Sequence, residues 1–187
     1  MLWPACSAVI ASWVVCDARL DYGRYMGLCI VTLAVSVALA GVWLDAGGLF
    51  ASVAAAQMYL VSGIRKLRAP DFMSGRVVLD NLAYAACQAT AGNRDFVRTI
   101  SPARLADLLE RGTLLRLCRA AAIATAAAEL AIAVGAIGLL PVSITFALAV
   151  PMHLGFMLLL PRRLPSFTMA SLGLLALATV NPILGAA

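Results

Sequence analysis

All fourteen Lys and Arg residues of this 187-residue chain fall in three places. Arg19 and Arg24 form the first, Arg65 through Arg119 the second, and Arg162 with Arg163 the third. Around them lie apolar runs at about 2–16, 25–44, 47–64, 115–139, 142–160 and 165–185. Each is near the roughly 20 residues that a helix needs to cross a bilayer core. With the amino terminus outside, the loops after the first, third and fifth helices face the cytoplasm and, with their flanking helix ends, hold every basic residue. The two intervening loops and both termini hold none, which is the positive-inside pattern of a multi-pass protein. Merging or dropping one span would break the alternation, so the pattern predicts an even number.

Composition agrees. The chain is 63% apolar and 12% charged, with a mean hydropathy of +0.96. An ordinary soluble domain is about half apolar and about a quarter charged. The expectation is an all-α, polytopic membrane bundle of about six transmembrane helices. It forms a single domain over 1–187 in the inner (plasma) membrane, with both termini outside. The lipid bilayer is its first partner. The net charge of +5 gives no argument for nucleic acid, because topology explains where the cations sit. The opening "MLWPACSAVIASWVVCDAR" has neither a basic leader nor a small-x-small cleavage site, so it reads as a first, short span.

The long connection at 65–114 is cytoplasmic or interfacial. Within it, "SGRVVLDNLAYAACQAT" is moderately apolar and helical in character, and "AGNRD" is a turn. "SPARLADLLERG" places Ser101 as an N-cap and Pro102 at the first helical position. Leu105, Leu108 and Leu109 share one face there, which predicts an amphipathic helix lying on the membrane surface. The five cysteines show no CxxC pair and no metal-ligand spacing, so neither a disulfide framework nor a metal site is expected. No Ser-His-Asp or Cys-His order, Gly-rich phosphate loop or inverted repeat occurs.

Ionisable groups at membrane depth are costly and each needs a reason. Glu129, in "AAAELAIAV", lies about twelve residues from either end of its run. A short carboxylate there cannot reach the interface. It must be neutral, paired with a cation, or turned to a polar cavity. His153, in "VPMHLGF", is the only histidine. It is either a proton carrier or a neutral imidazole bonded to a neighbour. Lys66 ends the third apolar run in "MYLVSGIRKLRAPDFMSG". It can anchor the helix by reaching to the headgroups, or it can act as a base if burial strips its proton. Gln57 and Tyr59, one to three turns earlier, are placed to line the same pocket.

The stretch "YLVSGIRKLRAPDFMSG" resembles the signature of the horizontally-transferred transmembrane domain family, the membrane domain shared by vitamin K-dependent gamma-carboxylases and their bacterial relatives. The matching residues are Tyr59, Ser62-Gly63, Lys66-Leu67, Asp71-Phe72 and Gly75, with Phe72 in place of the family's usual Trp. A helix with Glu129, a helix with His153 and the closing "LPSFTMASLGLLALATVNP" extend the resemblance over roughly residues 50–185. It implies a quinone or hydroquinone cofactor held near Tyr59 and Gln57. It implies Lys66 as the base, with His153 and Glu129 handling protons. The short bacterial members imply a membrane subunit that works with a partner protein in peptide maturation or quinol-linked oxidation. DoxX-like membrane proteins are a second resemblance, through the "Gly-x-x-Lys-Leu" helix end and "AAAELAIAVGAIGLLP". That one implies a non-catalytic subunit or assembly factor of a larger redox complex.

Overall fold

The computed structural model describes residues 24–93, 96, 100–159 and 165–179. Every regular element among them is helical. We number them α1 (Arg24–Val42), α2 (Leu44–Arg68), α3 (Pro70–Met73), α4 (Arg76–Thr90), α5 (Pro102–Glu110), α6 (Thr113–Ala136), α7 (Val142–Leu159) and α8 (Pro165–Ala178). The expected first span at 2–16, Arg19, Arg162 and Arg163 lie outside the described residues.

Two of the helices, α2 and α6, are long and apolar enough to cross a membrane. Shorter apolar stretches run over Val142–Met157 and Phe167–Ala178. The all-α class is thus present, with two candidate spans. The third apolar run extends further than hydropathy marks it, because α2 continues through the basic residues to Arg68.

Helix α2 is the centre of the bundle and packs against α1, α6 and α8. Its buried stripe of Ala51, Ala55, Met58 and Tyr59 meets Ile132, Ala133 and Ala136 of α6 and Ala170, Leu174 and Leu175 of α8. Alanines dominate this stripe, and small side chains let helix backbones come close where apolar burial gives little drive to associate. Gly63 marks the close approach of α2 to α6. A Cβ built there would sit 2.9 Å from Leu130 Cδ2 and 3.4 Å from the Ala126 carbonyl oxygen.

The two long helices are antiparallel and offset. Only two residues of α2 follow Lys66, whereas α6 starts sixteen residues before Glu129, at Thr113. The difference of fourteen residues is about 21 Å of helix standing beyond the end of α2. Helices α3, α4 and α5 cover this projecting half. Leu105, Leu114 and Cys118 are buried there, against Val78, Leu79, Leu82 and Leu108.

The N-cap expected at Ser101 is in place, its hydroxyl accepting from the Arg104 N–H at 3.3 Å, with Pro102 opening the helix. The expected orientation of α5 needs correction. Leu105 is buried and Leu108 half-buried against other helices, while Leu109 is 41% exposed. The apolar face of this nine-residue helix is thus covered largely by protein. Its leucines found a ready surface on α4 and α6 and did not need lipid.

Candidate functional site

Lys66 lies in the last turn of α2, four residues after Ser62, so the two share a helix face. Its ammonium donates to the Ser62 hydroxyl at 2.8 Å and forms an ion pair with Glu129 Oε1 of α6. The Ser62 hydroxyl in turn donates to the same carboxylate oxygen at 3.0 Å. The three groups close a triangle in which each hydrogen bond supports the next. The Lys66 side chain is 21% exposed and that of Glu129 only 4%. The ammonium also lies 5.6 Å from the ring centre of Phe72 and 5.5 Å from that of Phe156, within range of attraction to both rings.

This geometry gives several residues of the "SGIRKLRAPDFMSG" stretch a physical part. Ser62 bridges the pair. Gly63 brings α2 close enough to α6 for the pair to form. Phe72 flanks the ammonium. Gly75 holds a left-handed turn, φ 86°, and a Cβ there would meet the Arg119 backbone nitrogen at 2.4 Å. That turn is therefore pressed directly onto α6. Asp71 is exposed and takes no part in the cluster.

Lys66, Ser62 and Glu129 form the polar end of a cleft of about 650 Å³. Its other walls are mostly apolar, with Phe72, Met152, Phe156 and Phe167 the largest side chains. Pro151 interrupts α7 on the same wall. It has no N–H to offer the carbonyl of Ala147, four residues back, and both residues line the cleft. The second carboxylate oxygen, Glu129 Oε2, is buried with no hydrogen-bond partner among the described residues.

His153 and Tyr59 are also together, but behind this wall. They share a hydrogen bond of 2.6 Å between the phenol oxygen and Nε2. His153 is 1% exposed, and its ring meets those of Tyr59, Phe156 and Phe167 at 5.9 Å each. Phe156 and Phe167 line the cleft on one side and touch His153 on the other. The histidine Nδ1 is buried without a partner among the described residues.

The five residues singled out in the sequence thus sort into three places. Lys66 and Glu129 are paired at the cleft, Tyr59 and His153 are paired one layer behind it, and Gln57 is exposed on another face of α2. Gln57 lies two residues from Tyr59, about 200° around the helix, which turns it away from the cleft. Glu129 is not at the isolated depth that its position in an apolar run predicts, since it stands level with the end of α2. Ser62 and Phe72 belong to the site as well. The i, i+4 spacing of Ser62 and Lys66 was the available signal for the first. That Lys66 is the only lysine among fourteen basic residues singles out the centre of the cluster.

Among the described residues, no three His, Cys, Asp or Glu side chains converge as a metal site. No protein-family model, curated protein or solved structure matches this chain. The fold and site define an all-helical protein with two membrane-length helices and a lysine–glutamate pair opening on an apolar cleft.

Proposed function

We propose that the chain is a six-span inner-membrane protein, both termini outside, that binds a quinol-type amphipathic molecule in the cleft and withdraws a proton from it. One observation carries this reading. Glu129 lines a largely apolar cleft, and its buried Oε2 has no hydrogen-bond partner among the described residues. Leaving such an atom unmatched is costly, and a phenolic O–H from a flat, apolar ligand would satisfy it.

The chemistry follows from the pair. The ion pair sets an ammonium beside a carboxylate, so we assign the carboxylate as the resident base and the lysine as the cation beside it. A ligand O–H bonded to Oε2 gives its proton to Glu129. The electron pair of that bond stays on the ligand oxygen, and the Lys66 ammonium stabilises the anion. Charge is balanced throughout, because the ligand's new negative charge replaces the one lost from Glu129. The resemblance to the carboxylase-like membrane domain supports a quinol ligand and the same lysine. The pairing with Glu129 divides the labour differently, with glutamate as base and lysine as anion stabiliser. The same resemblance supports a membrane subunit that acts with a separate partner protein in peptide maturation or quinol-linked oxidation.

The second reading is a non-catalytic subunit or assembly factor of a redox complex, with Lys66 as an anchor. It is favoured by Arg65, Lys66 and Arg68 all lying in the last turn of α2, where cations complement the helix dipole. Titration of the detergent-purified chain with benzoquinol and naphthoquinol analogues separates the two. The first reading expects binding that weakens at least about tenfold in Glu129→Gln, the worth of a hydrogen bond to a charged group. A chain that binds no quinol and co-elutes with a stoichiometric enzyme subunit establishes the second.

A further inference from the structure

A different groove lies on the projecting half of α6. Arg116 and Arg119, three residues apart on that helix, line it together with Pro70, Met73, Ser74 and Leu115, and it encloses about 520 Å³. Both arginines are exposed. The ion pairs among the described residues are Lys66–Glu129 and Arg111–Asp107, so neither groove arginine has a counter-charge there. On the helices packed alongside, Asp71 of α3, Asp80 of α4 and Glu110 of α5 are exposed and pair with neither, and Asp107 of α5 pairs with Arg111. Two like charges on one wall repel each other, and an anion between them removes that repulsion.

The rest of the groove indicates which anion. Its other walls include Pro70, Met73 and Leu115, and Leu115 is 42% exposed. A small soluble anion would leave these apolar surfaces in water. The groove is also a fixed feature of the fold, because the Gly75 turn closes directly on the Arg119 backbone and sets the distance between α3 and α6. Guanidinium groups match phosphate oxygens through paired N–H donors.

We infer that this groove seats the phosphate headgroup of an anionic phospholipid of the cytoplasmic leaflet, with Arg116 and Arg119 on the phosphate and Pro70 and Met73 against its apolar part. The inference rests on the membrane placement proposed above and is independent of the quinol. A cation near an anionic headgroup is worth about fivefold in affinity, so two are worth about 30-fold.

The test is native mass spectrometry of the full chain, exchanged into detergent with equimolar phosphatidylglycerol and phosphatidylcholine. The expected result is preferential retention of one phosphatidylglycerol, a preference that falls about 30-fold in Arg116→Gln/Arg119→Gln. Arg104→Gln/Arg111→Gln, which removes two positive charges from α5 and its C-cap outside the groove, should keep it. Persistence of the preference in the first variant, or equal loss in the second, overturns the assignment. So does full displacement of the lipid by glycerol 3-phosphate at equal concentration, which would mark a soluble-anion site. Carbonate extraction reads membrane placement separately. A chain that stays in the membrane fraction yet shows no lipid preference loses the headgroup seat alone.

Discussion

Lys66 draws its partners from four helices: Ser62 on its own, Phe72 on α3, Glu129 on α6 and Phe156 on α7. A compact ammonium with three donors suits this corner better than a planar guanidinium, since two donors are committed and the rings crowd the remainder. Removing Glu129 strands the cation. Glu129→Ala should lose about 3 kcal/mol, the low end for breaking a buried pair, because Lys66 keeps some contact with solvent. The double replacement Lys66→Met/Glu129→Leu should recover most of that loss, as apolar substitutes for buried pairs generally do. Chemical denaturation in mixed micelles measures both. Equal losses in the single and double variants would show that the pair itself is not what holds this corner. At this scale the sequence was informative about Lys66 and Glu129, because charge in an apolar run stands out. It was uninformative about their being partners. Sixty-three positions separate them, and only the close approach at Gly63 brings them together.

Helix identity was the most legible part of the elements, and helix environment the least. Ser101 and Pro102 mark the start of α5 through local bonding alone, so the boundary is readable without the rest of the fold. Which side of α5 meets lipid is not local. It depends on Val78, Leu79 and Leu82 of α4 being present to receive Leu105. The turn before α4 offers a clean comparison. Gly75 and Gly92 have nearly the same left-handed backbone, φ 86° and 84°, but only Gly75 has a neighbour within reach of a Cβ. Gly92→Ala should therefore cost only the conformational strain, about 1–2 kcal/mol. Gly75→Ala should cost clearly more, since it must also push α3 and α4 off α6. Thermal unfolding of the two variants reads the difference. Matching midpoints would mean that the contact with Arg119 does not hold the turn.

On the scale of the whole molecule, the charge pattern and the helix offset make one statement about depth. In the orientation proposed above, Lys66 stands near the cytoplasmic end of α2, so the projecting half of α6 and the α3–α5 cover should lie on the cytoplasmic side. Cys87, on α4, is exposed, while Cys118 is buried beneath the cover. In a variant that retains Cys87 as its sole cysteine, a membrane-impermeant maleimide should label inverted vesicles and leave intact spheroplasts unlabelled. Labelling from outside would reverse the orientation that the arginines assign. The sequence makes a prediction about orientation because positive-inside bias is a property of loops counted one by one. The cover was not legible there, because the connection at 65–114 has no long apolar run to announce that it folds as a unit.

The contact of Gly75 with Arg119 also has a mechanical meaning. Phe72 is only three residues before Gly75, and its ring lies beside the Lys66 ammonium. The short helix α3, which carries Phe72 and ends just before the glycine, would therefore act as a lever arm with the glycine as its fulcrum. A partner pulling on α4, or a lipid lifting Arg119, would tilt that arm, and the first atoms displaced would be the aromatic ring at the mouth of the cleft.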